Sequence, residues 1–295
     1  MKFGIVANLR KQIFWENLPT LLTWFQEKKI AFVLSQEIVA SSPVHLPEVE
    51  AVPEKEVPSR CDMILAFGGD GTILHTVQLV GARGTPVLGI NVGGLGFLTE
   101  IPLENFLDTF TDILEGKYRI EKRLMLKGSV SGENRPLFAL NEIVIDKGSA
   151  TRVIEIKVTV NGKFLNTYIA DGLIISTPTG STGYSLSSGG PIVVPSSHVI
   201  ILNPICPHSL TNRPMVLSDT AVVEAVVRTE HPELLIAADG QDVRYCKTRT
   251  RVVVQRAPFQ AHLVKPRDSE FFALLRNKLN WGEDFRNKSR WSYES

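Results

Sequence analysis

Residues 63–80 read MILAFGGDGTILHTVQLV, an apolar run that ends in a glycine turn and continues with helical spacing. The pattern predicts a strand that passes into a helix, with Gly68, Gly69 and Thr72 in a loop suited to phosphate groups. Glycine lets the backbone approach an anion closely, and the helix N-terminus adds a favourable dipole. Asp70 stands inside this loop, where a carboxylate repels phosphate. It either caps the helix, or it holds a cation or accepts a proton from an attacking hydroxyl.

Strand-like and helix-like stretches alternate around this loop. Apolar runs at residues 2–8, 30–34 and 86–92 predict further strands, and the spacing between them predicts helices. Such alternation indicates a parallel sheet covered by helices, in which ligands gather at the carboxyl ends of the strands. A second glycine turn, at residues 93–98, is expected at that same edge.

The pattern changes near residue 118, beyond which the chain is mostly strand-like. Residues 153–160 alternate apolar and polar side chains and end at Asn161–Gly162, a strong hairpin signal. Short strands with frequent turns predict a sandwich-like fold. Residues 270–279 return to helical spacing, and the polar tail from Gly282 is expected to be loosely ordered.

These patterns predict three parts. An α/β domain with a parallel sheet spans residues 1–101, and an all-β, sandwich-like domain spans residues 102–266. A C-terminal helix and tail, residues 267–295, return to pack on the first domain. Residues 41–59, rich in proline and glutamate, are expected to form an exposed, mobile loop.

Composition excludes several classes of protein. The net charge of the 295 residues is +1, which argues against a nucleic-acid-binding surface. No apolar run approaches the length of a membrane span, so no membrane association is expected. Cys61, Cys206 and Cys246 are far apart and lack metal-ligand spacing, which favours a reducing compartment and a cytoplasmic location.

A second polar segment, STPTGSTGYSLSSGGP at residues 176–191, follows a buried-looking strand. It is either a flexible spacer or, as we favour, a turn and short helix that bind a sugar or an amide, with Tyr184 stacking on a ring. Asn141 and Glu142 interrupt another apolar run. They form either an exposed bulge or a pair that binds ribose hydroxyls. Asp239–Gly240–Gln241 is interpreted as a hairpin turn.

Together these motifs resemble the NAD kinase family. The resemblance rests on the loop at residues 68–72, the pair at 141–142 and the segment at 177–187, with support from residues 91–98 and 239–241. The first motif is shared with lipid kinases and phosphofructokinases, whereas the second and third are more specific. The resemblance covers nearly the whole chain, and its length is similar to the shorter bacterial form.

The resemblance implies transfer of the ATP γ-phosphate to the 2′-hydroxyl of the adenosine ribose of NAD, giving NADP. It implies a divalent metal ion, expected to be Mg²⁺ held mainly by the ATP phosphates, with its protein ligands left open. Inorganic polyphosphate replaces ATP in some members, so the donor stays open. Family members assemble as homodimers or homotetramers.

The resemblance also implies roles for individual residues. Asp70 matches the proposed general base, and the phosphate loop contains Gly68, Gly69 and Thr72. The positions that match NAD-binding residues are Gly71, His75, Asn141, Glu142, Arg152, Asp171, Thr182, Gly183, Tyr184, Ser185, Leu186, Ser187 and Gln241.

Two positions depart from the family pattern. Gly183 stands where relatives commonly have alanine, and Ile169 stands where some have a basic residue, which would leave more phosphate charge to His75 and Arg152.

Two other functions are considered beside that of an NAD kinase. A lipid kinase of the same superfamily needs an apolar groove for acyl chains, and the polar segment at residues 176–191 argues against one. A dinucleotide sensor without catalysis has little use for Asp70.

Overall fold

The computed structural model describes residues 1–94, 96–149 and 151–281. Its helices are α1 (Gln12–Glu27), α2 (Gln36–Ser41), α3 (Asp70–Val80), α4 (Phe106–Leu114), α5 (Tyr184–Ser187) and α6 (Phe271–Leu279). Its strands are β1 (Lys2–Ala7), β2 (Ala31–Ser35), β3 (Ala51–Val52), β4 (Met63–Gly68), β5 (Val87–Asn91), β6 (Ile101–Pro102), β7 (Tyr118–Val130), β8 (Leu137–Ala139), β9 (Glu142–Asp146), β10 (Ile154–Val160), β11 (Lys163–Ala170), β12 (Gly172–Ser176), β13 (Val199–Ile205), β14 (Met215–Ser218), β15 (Val223–Arg228), β16 (Leu234–Ala238), β17 (Asp242–Cys246) and β18 (Arg251–Pro266). None of the helices within these ranges is long and apolar enough to cross a membrane.

The N-terminal part is a parallel sheet in the order β3-β2-β1-β4-β5. Every residue of β4 and β5 is buried, which explains why these strands are unbroken apolar runs. Helices α1 and α4 pack their aromatic and leucine side chains on one face of the sheet, and α3 packs on the other. The predicted α/β domain with a parallel sheet is confirmed.

The two glycine turns lie at the same edge of this sheet. Gly68, the last residue of β4, pairs with Asn91, the last residue of β5. Because parallel strands end at a common edge, the turns that begin after Gly68 and after Asn91 leave the sheet side by side. This adjacency brings Asp70 within reach of the second turn.

Residues 42–50 form the largely exposed loop that their composition predicts, whereas residues 51–59 do not. Ala51 pairs with Leu34 to add the short strand β3 to the sheet, and residues 54–59 form a 3₁₀ helix. Val57 is fully buried and packs with Val6 of β1 and Val33 of β2. Apolar side chains scattered among the prolines cover the sheet edge, and their spacing matches no regular helix or strand.

The C-terminal part is a β-sandwich, as predicted. One antiparallel sheet has the order β14-β13-β12-β9-β16-β17. Alternate residues of β9 and β12 face the strands β10, β15 and β18 of the other sheet in one apolar core. The hairpin between β10 and β11 turns at Asn161 and Gly162, both with positive φ, which is the conformation that this dipeptide favours.

Two long strands join the parts. β7 and β18 pair along most of their length in the sandwich, and Leu263 of β18 pairs in parallel with Val87 of β5. The chain then enters α6, where Lys278 lies over the ring of Phe97, 5.7 Å from its centroid. The predicted return of the C-terminal helix to the first part is therefore confirmed. The predicted loose tail, from Gly282, lies outside the described residues.

Candidate active site

The phosphate loop joins β4 directly to α3, as the sequence predicts. A Cβ atom on Gly68 would lie 1.9 Å from the hydroxyl oxygen of Thr72, so this turn requires glycine. By contrast, a Cβ atom on Gly69 or on Gly71 would meet nothing within 4 Å. Their backbone is therefore accessible to a ligand, which is the feature that a phosphate or dinucleotide needs.

The Asp70 carboxylate does not cap its helix but holds the second glycine turn. Its Oδ2 accepts the N–H of Phe97 at 2.8 Å. Its Oδ1 accepts the N–H groups of Leu98 at 3.0 Å and Thr99 at 3.2 Å, and the Thr99 hydroxyl at 3.2 Å. Gly96 is required for this approach, because a Cβ atom there would lie 1.8 Å from Oδ1. One carboxylate thus fixes the neighbouring turn through four hydrogen bonds.

Asn141 and Glu142 are held from behind by the buried Asp239. The Asp239 carboxylate accepts the backbone N–H groups of Leu140 and Asn141, both at 2.8 Å, and of Glu142 at 3.2 Å. The Asp239 N–H in turn donates to the Glu142 carbonyl at 3.0 Å. Two consecutive side chains are therefore presented from a rigid backbone, and the exposed bulge that the sequence also allowed is absent from this part of the described chain.

The side chains of this pair carry buried acceptors without partners. Oδ1 of Asn141 and Oε2 of Glu142 accept no hydrogen bond from the described residues. Burial, together with the nearby Asp239 carboxyl, raises the pKa of Glu142 from 4.5 to about 8. Burial likewise raises the pKa of Asp239 to about 6, against the lowering effect of its three backbone donors. Orphaned acceptors of this kind are costly unless a ligand supplies hydroxyl or N–H donors.

The threonine- and glycine-rich segment packs directly on this pair. Residues 179–182 form a 3₁₀ helix and α5 follows. The Thr177 N–H donates to the Asn141 carbonyl at 2.8 Å. A Cβ atom on Gly180 would lie 2.3 Å from the same carbonyl, and one on Gly183 would lie 3.6 Å from Glu142 Oε2. Gly183 therefore lines the space next to the unpartnered oxygen.

Gln241 connects the two halves of the site. Its side-chain amide donates to the Gly71 carbonyl at 2.8 Å, across the boundary between the α/β part and the sandwich. Since Gln241 follows Asp239 by two residues, this bond places the start of α3 beside the Asn141–Glu142 pair. The loop that carries Asp70 and the turn that holds the unpartnered acceptors are thus joined by a direct hydrogen bond and together form the candidate site.

Known proteins match this chain over most of its length. Residues 3–118 match the family model of the ATP-NAD kinase N-terminal domain, and residues 140–266 match that of the ATP-NAD kinase C-terminal domain. The chain belongs to the NAD kinase family. The NAD kinase of Moorella thermoacetica is 40% identical over 283 residues, which cover 95% of this chain and 90% of the relative.

Solved NAD kinase structures share the fold. An NAD kinase from Archaeoglobus fulgidus, in complex with ATP, superposes with a TM-score of 0.75 at 26% identity, over 95% of this chain and 99% of that one. A yeast NADH kinase, in complex with NADH, has a TM-score of 0.90 at 23% identity, over 97% and 89% of the two chains. The predicted resemblance to the NAD kinase family and its two-part fold is confirmed.

The residues of the segment 182–187 that the NAD kinase resemblance singled out differ in how exposed they are. Tyr184 is 42% exposed and Ser187 is also exposed, so both are accessible. Ser185 is fully buried, and its backbone carbonyl accepts the side-chain amide of Asn203 at 2.9 Å, which indicates a structural role. The half-exposed Thr182 and Leu186 lie on the same short segment.

Three predicted charged residues are engaged in ion pairs. His75 Nε2 lies 2.9 Å from Glu54, and this hydrogen bond raises the pKa of His75. Arg152 pairs with Glu230 at 3.0 Å on an exposed surface, and Asp171 pairs with Lys147 at 2.7 Å. A ligand phosphate would therefore have to compete with Glu54 or Glu230 for either cation.

Two features of the candidate site have no clear signal in the sequence. Asp239 was interpreted only as part of a hairpin turn, yet its carboxylate positions the Asn141–Glu142 pair. The contact between Asp70 and residues 97–99 was also not foreseen. The expected common edge of the two glycine turns was the one available signal for it.

Proposed function

We propose that the chain transfers the γ-phosphate of ATP to the 2′-hydroxyl of the adenosine ribose of NAD in the cleft between Asp70 and Glu142. As a member of the NAD kinase family, the chain is a phosphotransferase that makes NADP from NAD. The observation that carries the assignment of the cleft is the pair of buried acceptors without partners, Asn141 Oδ1 and Glu142 Oε2. A ribose offers two adjacent hydroxyl donors to such a pair.

The ribose is the part of NAD that these acceptors suit best. A hydroxyl that donates to Glu142 Oε2 replaces the hydrogen bond that burial removed, and the Asn141 amide can accept from one hydroxyl and donate to another. Gly183 lines this space without a side chain, which leaves room for the sugar. Gly71, Gln241, Thr182 and Tyr184 surround the same cleft and are proposed as further contacts to the dinucleotide.

Asp70 is proposed as the general base, with its two oxygens in different roles. Oδ1 already accepts three hydrogen bonds, whereas Oδ2 accepts one and keeps capacity for a ligand hydroxyl. Oδ2 would orient the 2′-hydroxyl and take its proton as the phosphoryl group transfers. Because phosphoryl transfer passes through a loose transition state, positioning and electrostatics contribute more than strong basicity.

The donor and the metal ion are proposed from chemistry and from the relatives. ATP is the proposed donor, supported by the Archaeoglobus fulgidus NAD kinase in complex with ATP. Among residues 1–94, 96–149 and 151–281, no three His, Cys, Asp or Glu side chains are grouped to hold a metal ion. Mg²⁺ is proposed as an ion held mainly by the donor phosphates, where it would offset their charge, and its protein ligands stay open.

The outer dinucleotide contacts and the assembly are also proposals. His75, Arg152 and Asp171 are proposed to meet the phosphates or the nicotinamide end after exchanging their present ion pairs. A homodimer or homotetramer is supported by the edge strand β14, where Met215 and Val216 are exposed apolar residues. A cytoplasmic location is supported by Cys61, Cys206 and Cys246, which are all free thiols.

The test is direct. Purified protein is incubated with NAD, ATP and Mg²⁺, and NADP is quantified with a dehydrogenase specific for NADP, which distinguishes the 2′-phosphate from other products. Parallel reactions replace ATP with inorganic polyphosphate and NAD with diacylglycerol. Formation of NADP supports the proposal. Phosphorylation of diacylglycerol without NADP, or NAD binding without turnover on either donor, contradicts it.

A further inference from the structure

Thr99, which directly follows the second glycine turn, makes two contacts to Asp70, whereas Phe97 and Leu98 make one each. Both its N–H group and its hydroxyl lie 3.2 Å from Asp70 Oδ1, and its side chain is fully buried. Phe97 and Leu98 each contribute one backbone N–H. The Thr99 hydroxyl is therefore the only side-chain donor to Asp70 within the described residues.

Asn91 also contacts that hydroxyl. The Asn91 amide nitrogen lies 3.4 Å from both the hydroxyl oxygen and the carbonyl oxygen of Thr99. Asn91 is itself held, because its Oδ1 accepts the Gly93 N–H at 2.7 Å and its amide donates to the Gly94 carbonyl at 3.1 Å. The amide has two hydrogens, so the one that does not go to Gly94 is shared between the two Thr99 oxygens. The hydroxyl hydrogen of Thr99 is directed toward Asp70 because the carboxylate oxygen is its acceptor.

The result is an asymmetric carboxylate. The oxygen labelled Oδ1 faces three donors and Oδ2 faces one, and because the two oxygens of a carboxylate are equivalent, these contacts fix the plane of the carboxylate and leave one oxygen with spare capacity. A hydrogen bond to a charged acceptor is stronger than one between neutral groups, so removing the Thr99 hydroxyl weakens the preference for one orientation. Catalysis depends on such orientation, because small displacements of a reacting group are costly.

We propose that Thr99 is a positioning residue that fixes the plane of the Asp70 carboxylate, so that the oxygen with one internal donor faces the acceptor hydroxyl, with Asn91 supporting the Thr99 side chain. This inference rests on the proposed role of Asp70 as general base. Thr99 contacts no substrate in this scheme and acts through Asp70 alone. A residue with this role affects turnover more than NAD binding, whereas a residue that only stabilises the loop affects folding.

The test compares Thr99→Val, which has nearly the same shape but no hydroxyl, with Thr99→Ser, which keeps the hydroxyl. Thr250→Val is the matched control, because Thr250 is also buried and its hydroxyl donates to the Lys247 carbonyl at 2.6 Å, outside the cleft. We expect Thr99→Val to lower kcat by about tenfold with the KM for NAD changed less than about twofold. Thr99→Ser should retain most of the kcat of the unsubstituted protein.

The outcomes separate this inference from the proposed function. An unchanged kcat in Thr99→Val, a raised KM for NAD with normal kcat, or a failure of Thr99→Ser to retain most of the kcat would overturn the positioning role. Absence of NADP formation by the unsubstituted protein would instead refute the proposed function. Melting curves identify misfolding, and if Thr99→Val does not fold, Thr99→Ala with the same split between kcat and KM decides the question.

Discussion

Replacing Glu142 with glutamine should stabilise the ligand-free protein, increasingly so toward alkaline pH. The Glu142 carboxyl is buried, its Oε2 has no partner among the residues that the structure describes, and Asp239 lies close to it. Its pKa of about 8 exceeds the value of 4.5 in the unfolded chain, so the folded protein retains a proton that the unfolded chain releases between those two values. Below pH 4.5 this group does not reduce the free energy of unfolding, and its destabilising effect grows as the pH rises toward about 8.

The magnitude follows from the size of that window. Each pH unit above 4.5 costs about 1.4 kcal/mol, so the ionisable group costs about 3 kcal/mol at neutral pH. Part of this cost is shared with Asp239, whose pKa is also raised, which leaves about 2 kcal/mol for Glu142→Gln to recover. For a chain of this size, that gain corresponds to a rise in Tm of about 4 °C.

The assay is thermal unfolding without ligand, at constant ionic strength, at pH values of about 5, 7 and 8.5. Glu27→Gln is the matched control, because Glu27 is an exposed glutamate at the end of α1. We expect the Tm difference between Glu142→Gln and the unsubstituted protein to grow with pH, and that of Glu27→Gln to stay flat. A Glu142→Gln difference that is constant or shrinks as pH rises would refute the account of a buried, unpartnered carboxyl.

Three further substitutions test the contacts of Glu142 and of Asp70. Glu142→Ala should raise the KM for NAD about tenfold and that for ATP much less, because it removes a hydrogen-bond acceptor from the ribose; steady-state kinetics with the reverse order would place Glu142 outside the ribose site. Asp239→Asn should lower stability by roughly 2 kcal/mol and raise the KM for NAD, since an amide cannot accept all three N–H bonds as well; normal melting and kinetics would contradict that support role. Gly96→Ala should abolish most turnover, because its Cβ would meet Asp70 Oδ1. Gly94→Ala is the control, because a Cβ atom there would meet nothing within 4 Å. Equal NADP formation by the two variants would contradict a role for the contact between Asp70 and residues 97–99.

The architecture was largely predictable because its signals are local. The continuous apolar runs of β4 and β5 and the glycine turns that follow them indicate a parallel sheet with a ligand edge, and Asn161–Gly162 indicates a hairpin. Residues 51–59 were not predictable in the same way. Val57 is buried through contacts with distant strands, while the surrounding prolines and glutamates give the composition of an exposed loop.

The candidate site was predictable only in part. Asn141 and Glu142 stood out because polar residues interrupt an apolar run, but the group that holds them, Asp239, lies in a turn that looks like any other hairpin turn. The role of Asp239 depends on a pairing between β9 and β16, which are far apart in the chain. The same is true of Asp70 and Thr99, whose contact arises because two strands end at one sheet edge.

The measurement that tests the central claim most directly is NADP formation by the unsubstituted protein beside Asp70→Asn, with NAD binding measured for both. The account predicts that the unsubstituted protein makes NADP from NAD, ATP and Mg²⁺. It predicts that Asp70→Asn loses at least about a hundredfold in kcat while it still folds and binds NAD, because the amide can neither take the proton nor present the same oxygen. Near-normal turnover in Asp70→Asn would contradict the assignment of the glycine-loop acid as the base.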